Sequence, residues 1–236
     1  TDRGLARIEG DQVDLWTGRD GLPSDQVLSV ASLEGGGVLV GTSQGAAIVE
    51  GGELRVLTNV KGRERLRGVW SVAVTEDDGL WFGTSRGLWH RDPDGLWRSY
   101  TMASGHLDDD WVTSVAVGEG TVWVGTYAAG VSRLRPSASR PGGYAAAQLG
   151  GGRINPGGVT VAEGTVWVST MQGLLTRRVD KGGPWTRMNP LPGQDVTSVR
   201  LADDRVWVTT RSGLVSYPAR DISPQDQAQA SRGDVN

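Results

Sequence analysis

The sequence predicts an all-β fold, a β-propeller built of four-stranded antiparallel blades of about 42 residues, five repeats in this chain. Three observations carry that prediction. An apolar phrase recurs five times, as Val38-Leu-Val-Gly-Thr42, Leu80-Trp-Phe-Gly-Thr84, Val122-Trp-Val-Gly-Thr126, Val166-Trp-Val-Ser-Thr170 and Val206-Trp-Val-Thr-Thr210. Each copy runs into a tight turn that ends on glycine: Gly45, Gly87, Gly130, Gly173 and Gly213. The threonines lie 42, 42, 44 and 40 residues apart, and such a period marks a repeat architecture. Around each phrase lie further short β-prone runs separated by hairpin signals, about four per period, which is the pattern of a propeller blade.

The chain opens in mid-repeat. Thr1 occupies the place of the repeat threonine, 41 residues before Thr42. Gly4–Ile8 then reads as a third strand and Gln12–Thr17 as a fourth, followed by a turn-rich loop over 18–26. Whole repeats begin near residues 27, 69, 112, 154 and 196. In the first, Val27–Leu33 is the innermost strand, Val38–Thr42 the second, Ala46–Glu50 the third and Glu53–Thr58 the fourth. The second repeat copies this through Val69–Val74, Leu80–Thr84, Gly87–Arg91 and Leu96–Thr101. The third runs Val112–Val117, Thr121–Thr126 and Val131–Leu134. Its Pro-, Gly- and Ala-rich continuation, 135–152, reads as a long loop or an irregular outer strand around Tyr144–Leu149. The fourth has Val159–Val161, Val166–Thr170, Leu174–Val179 and Trp185–Met188, preceded by a glycine-rich connector over 150–158. The fifth has Val196–Leu201, Val206–Thr210 and Leu214–Tyr217, and lacks a fourth strand.

The propeller is expected over 1–220, with 221–236 as a polar tail or linker. Gln12–Thr17 can complete Val196–Tyr217 and close five blades. Gly4–Ile8 and Leu214–Tyr217 then compete for one slot, which fits a segment of a larger propeller instead. Thr1 is not preceded by Met and no signal-peptide pattern follows it, as expected if a leader was removed or a domain cut out.

Alternation places Val122 and Val124 on one face of their strand and Trp123 on the other. Both faces of a blade are covered by neighbours, so Trp81, Trp123, Trp167 and Trp207 are expected in the inter-blade core. The composition agrees: 36 glycines, about twice the usual share of ~7%, and ten Trp against one Phe. A net charge of −3 gives no basic footprint for nucleic acid. No apolar run is long enough to span a bilayer as a helix. Zero Cys excludes disulfides and thiolate metal sites.

Gly21-Leu-Pro-Ser-Asp-Gln-Val27-Leu-Ser-Val-Ala, and then Val38-Leu-Val-Gly-Thr-Ser-Gln-Gly45, resembles the two-component regulator propeller repeat. Trp81-Phe-Gly-Thr-Ser-Arg-Gly-Leu88 is similar to the core of that repeat, and the resemblance recurs in phase along nearly the whole chain. It implies a sensor or binding module, as in the extracytoplasmic parts of hybrid histidine kinases and in secretion or cell-surface proteins. A periplasmic or extracellular location follows from the same resemblance. The family has no fixed catalytic residues to carry over.

Candidate chemistry is sparse. Gly41-Thr-Ser-Gln-Gly45 and Gly83-Thr-Ser-Arg-Gly87 match the nucleophile-elbow pattern, but a strand follows each where a hydrolase needs a helix. His106-Leu-Asp-Asp-Asp110 gathers one His and three carboxylates, the only convergent set for an enzyme. Asp92-Pro-Asp-Gly95 lacks the spacing of a Ca²⁺ loop, and Arg232-Gly-Asp234 lies in the polar tail.

Strand order is more informative. The hairpins between first and second strands fall on one face of the disc and carry acids: Glu34, Glu76–Asp78, Glu119, Glu163 and Asp203–Asp204. The opposite face collects Arg63, Arg65, Arg67, Arg86, Arg153 and Arg211, with Trp70, His106, Asp108, Asp109, Asp110, Trp111, Tyr127, Met171 and Gln172. Cations mixed with aromatics near an axial opening suit an anionic or carbohydrate-like ligand. The expected activity is therefore non-enzymatic binding at the mouth by a monomer, without metal or cofactor. Arg86 and Arg211 are expected to hold the ligand. The alternatives are a protein-interaction platform, and a lyase or glycosidase using His106 and Asp108–Asp110.

Overall fold

The structure, a computed structural model, describes residues 1–58, 66–139, 143–180, 182–189 and 191–218. Arg63, Arg65 and the tail 221–236 with Arg232-Gly-Asp234 lie outside the described residues.

The chain folds into successive antiparallel meanders. β1 (Leu5–Glu9) and β2 (Gln12–Trp16) form a two-stranded ribbon. The first complete sheet holds β3 (Val27–Ser32), β4 (Val38–Thr42), β5 (Gly45–Glu50) and β6 (Glu53–Leu57). The second holds β7 (Val69–Val74), β8 (Leu80–Thr84), β9 (Gly87–Arg91) and β10 (Trp97–Tyr100). The third holds β11 (Val112–Gly118), β12 (Thr121–Thr126), β13 (Gly130–Pro136) and β14 (Tyr144–Gln148). The fourth holds β15 (Ile154–Ala162), β16 (Thr165–Thr170), β17 (Gly173–Arg178) and β18 (Gly182–Met188). The last has β19 (Val196–Ala202), β20 (Arg205–Thr210) and β21 (Gly213–Pro218).

The sheets pack face to face in chain order, with inner strands β3, β7, β11, β15 and β19 side by side. The recurring Trp does what alternation predicts. Trp81 packs with Val115, Val122 and Val124 of the following sheet, and Trp123 with Ile154, Val159, Val166 and Val168 of the next. Each second strand therefore turns its Val residues back and its Trp forward. Trp81 and Trp123 are fully buried. Trp207, which has no following sheet among the described residues, is only half-buried.

The repeat threonine clamps each second-to-third-strand turn. Its hydroxyl donates to the glycine carbonyl beyond the turn in all five sheets: Thr42 to Gly45, Thr84 to Gly87, Thr126 to Gly130, Thr170 to Gly173 and Thr210 to Gly213, at 2.7–3.2 Å. The same oxygen accepts a backbone N–H from within the turn. A buried donor and a turn N–H are thus satisfied together. On the opposite face, Asp78, Glu119, Glu163, Asp203 and Asp204 take left-handed backbone angles in the acidic hairpins, as tight turns between twisted strands require.

Of the two readings of 135–152, the outer strand is the one that forms: β14 pairs to β13 from Ser132↔Gln148 to Pro136↔Tyr144. Two features differ from the sequence reading. The connector 150–158 is strand from Ile154 onward: β15 begins there and bulges between Ile154 and Val159. Buried Asn155 holds that bulge by donating from Nδ2 to the Val196 carbonyl at 2.6 Å. Finally, Gln12–Trp16 pairs with β1 rather than with β21, so among the described residues no sheet joins the two ends of the chain. Trp16 instead packs against Val40, Ala47 and Val49 of the first sheet, its indole N–H donating to the Gly52 carbonyl.

The difference between Trp123 and Trp207 sets up a stability test. Replacing Trp123 by Ala should cost about 3–5 kcal/mol, the range for emptying a close-packed core site. Trp207→Ala should cost less than half as much. Urea unfolding of both variants measures this, and equal losses would contradict the forward packing of the tryptophans.

Candidate ligand-binding face

The inner strands are not regular. Each carries a register shift near its start: between Val27 and Ser29, Val69 and Ser71, Val112 and Ser114, Ile154 and Val159, and Val196 and Ser198. A bulge re-aims the residue it leaves unpaired. In the second sheet that residue is Trp70, and in the first it is Leu28. Both line a cavity of about 430 Å³ at the end of the sheets that carries the second-to-third-strand turns. Gln26, Ser43, Arg67, Gly68, Ser85 and Trp111 complete its wall.

From this cavity a row of three aromatics and one arginine runs from the second sheet to the fourth. The Trp70 and Trp111 rings lie 5.9 Å apart, tilted by 48°. Trp111 stacks on Tyr127 at 4.5 Å and 24°. The Arg153 guanidinium lies over the Tyr127 ring at 5.6 Å, within cation–π range. The Trp70 indole N–H is buried without a hydrogen-bond partner, whereas Trp111 is 39% exposed, an unusual position for so large an apolar ring.

Asp109 fixes this row. Its carboxylate accepts from the Trp111 backbone N–H at 3.0 Å and from the Ala128 N–H at 2.8 Å. That ties the loop before β11 to the β12–β13 turn that carries Tyr127. The Tyr127 N–H in turn donates to the Trp111 carbonyl at 2.9 Å. Asp110 accepts from the Met102 N–H at 2.8 Å and stabilises the same loop from its other side. His106 faces elsewhere. Its Nδ1 meets the Ser104 hydroxyl and its Nε2 the Tyr144 carbonyl, on outer strand β14. His106 and Asp109 thus take separate sets of partners, and Asp108 is exposed.

Of the residues singled out from sequence, Arg67, Trp70, Trp111, Tyr127 and Arg153 come together in the cavity and the row. Asp109 supports them. Arg86 is exposed on the β8–β9 turn next to the cavity residue Ser85. Arg211 forms an ion pair with Asp195 at 2.5 Å, and the Gln172 carbonyl accepts from the Arg187 guanidinium. Gln26, Leu28, Ser43 and Ser85 were not foreseen as lining residues. Ser43 and Ser85 carry a signal in the sequence, since both follow the repeat threonine in the turn. Among the described residues no group of three His, Asp or Glu side chains is placed to hold a metal ion.

The strongest titration shifts lie away from this face, between the second and third sheets. His90 stacks on Trp81 at 4.0 Å and 11°, with Tyr144 edge-on at 5.6 Å. Its Nδ1 is buried without a partner. Burial pushes its pKa from 6.5 down to about 4, opposed by Asp92 and Asp77 and assisted by Arg98. Burial also pushes the nearby Tyr100 up to about 12.

No family model and no curated protein matches the chain. Solved structures with the same fold are numerous. The extracellular domain of BT4673 from B. thetaiotaomicron, described as a one-component and as a hybrid two-component system, superposes with a TM-score of 0.68 at 17% identity. The match covers 92% of this chain and 30% of that one. PorZ, a surface component of the type-IX secretion system of Porphyromonas gingivalis, gives 0.70 at 15% identity, covering 92% and 36%. XC5397 from Xanthomonas campestris, a gluconolactonase, gives 0.63 at 16% identity, covering 87% and 75%. This chain therefore spans about a third of the length of the first two. At these identities the likeness establishes a propeller-like fold, and its neighbours include the kind of two-component system whose repeat the sequence resembles.

Two measurements test these environments. Asp109→Ala should lower stability by roughly 1–3 kcal/mol, because two loop N–H groups lose their acceptor; it should also shift the Trp111 fluorescence as the stack loosens. For His90 the folded pKa lies below the unfolded one, so the unfolded chain binds the extra proton between pH 6.5 and about 4. Stability should therefore fall as pH drops through that window, by roughly 2–3 kcal/mol at about 1.4 kcal/mol per unit. His90→Phe should flatten the urea midpoint between pH 7 and pH 4. An unchanged slope would refute the assignment.

Proposed function

We propose that the chain is a non-enzymatic, ligand-binding sensor propeller, part of an extracytoplasmic signalling or surface protein, whose five sheets are consecutive blades. The observation that supports this most is the row Trp70–Trp111–Tyr127–Arg153 beside a cavity bordered by Arg67. The exposed Trp111 ring offers a stacking surface for the C–H face of a sugar ring. Serine hydroxyls and Gln26 supply hydrogen bonds at the cavity wall. The guanidinium groups at either end suit a carboxylate or sulfate on the ligand. The extracellular and cell-surface neighbours favour the same setting.

An enzyme of the lyase or glycosidase kind is the second reading, and the gluconolactonase neighbour favours it. It requires a converging acid and base. The residues that would fill that role have other partners: Asp109 accepts a backbone N–H on each carboxylate oxygen, and His106 is bonded to the outer strand.

Calorimetric titration with neutral, carboxylated and sulfated oligosaccharides tests the proposal. Trp111→Ala should weaken binding about tenfold, equivalent to ~1.4 kcal/mol. Arg67→Ala should weaken the charged ligands more than the neutral ones. Arg211→Ala should do little, because Arg211 is already paired with Asp195. If Trp111→Ala and Arg67→Ala bind as the parent does, the face is not the site.

A further inference from the structure

The interface between consecutive sheets repeats four times, and among the described residues the first sheet lacks it on the side of its inner strand that faces away from the second sheet. On each inner strand one valine meets the large second-strand residue of the sheet before it. Val72 packs with Leu39, Val115 with Trp81, Val159 with Trp123 and Val199 with Trp167. These four valines are 8%, 6%, 5% and 2% exposed. Val30 holds the same register in the first sheet, opposite Val40 as Val115 is opposite Val124, yet it is 55% exposed.

The cause is visible in the neighbouring ribbon. β1 and β2 pair as third and fourth strands do, from Leu5↔Trp16 to Glu9↔Gln12. Leu5 and Trp16 cover the outer part of the first sheet. Among the described residues nothing pairs with the other edge of β1, where a second strand lies in every complete sheet. The space left is a cleft of about 300 Å³, bordered by Leu5, Arg7, Trp16, Val30 and Val38. Ile8, which matches buried Leu134 in the repeat, is 74% exposed along the same strand.

We infer that this cleft is a β-strand docking site for a further hairpin of the repeat's own type, distinct from the five copies among the described residues. Its second strand, of the Val-Trp-Val-Gly-Thr kind, runs antiparallel along β1 and seats its Trp against Val30 and Val38. Main-chain pairing supplies the affinity and the Trp the specificity, as in strand addition generally. The occupant is fixed by continuity: four existing contacts between sheets define what a fifth requires. β4, β8, β12, β16 and β20 each have partners on both edges, so none of them is free to fill the slot.

The test uses the 236-residue protein and a fluorescent synthetic hairpin with the sequence of residues 112–126. Saturable binding is expected in fluorescence anisotropy, at least tenfold weaker for a hairpin with Trp123→Ser. Val30→Asp and, separately, Ser32→Arg in the protein should abolish it. Both residues are solvent-exposed enough for the folded circular dichroism spectrum to persist, and oligosaccharide binding should be unaffected. Absence of binding to the parent protein would overturn the inference, as would binding to either variant as tight as to the parent. A parent protein that sediments as a dimer, and as a monomer after Val30→Asp, would also overturn it by making a second copy the occupant.

Discussion

The close approach of each second strand to the next inner strand governs the rest of the structure. A Cβ on Gly41 would lie 2.7 Å from Val69 Cγ1, on Gly83 2.8 Å from Val112 Cγ1, and on Gly125 2.7 Å from Ile154 Cγ2. A side chain there would push the sheets apart and lift the neighbouring Trp out of its pocket. In the fourth sheet the position is Ser169, whose hydroxyl is buried without a partner. In the last sheet it is Thr209, where nothing described follows and the hydroxyl bonds to Thr197 instead. The residue at this point thus tracks how tightly the next sheet presses.

That constraint explains what the sequence could reveal. Strand identity follows from side-chain alternation and turn chemistry, both local, and the second strands are legible because Val-Trp-Val must serve two neighbours at once. β14 was hard to see because Tyr144-Ala-Ala-Ala-Gln148 has few β-branched residues; its place is set by pairing with β13. The bulge at Asn155 was illegible for a similar reason. A glycine-rich run reads as connector until a buried amide is found bonded to the next sheet.

For the binding face, residue types were legible and groupings were not. Trp70, Trp111 and Tyr127 fall on one end of the sheets by strand order alone. That they form a continuous row depends on the bulge that turns Trp70 out of register and on Asp109, which binds two loops together. Arg211 looked equivalent to Arg86 by position, yet Asp195 lies only beside the former. Cationic turns are therefore not interchangeable, and the chemistry of the face is concentrated over the first four sheets.

The threonine clamp has a bearing on how such a face diversifies. It closes every second-to-third-strand turn using one hydroxyl, one glycine carbonyl and one backbone N–H, none of which belongs to the side chains in between. Those side chains are Ser-Gln, Ser-Arg, Tyr-Ala-Ala, Met-Gln and Arg-Ser in the five copies. Even the insertion of one residue in the third copy leaves the clamp intact. Mutational change in recognition is thereby uncoupled from folding: new specificities can be sampled at these tips while the scaffold's cooperativity is left alone.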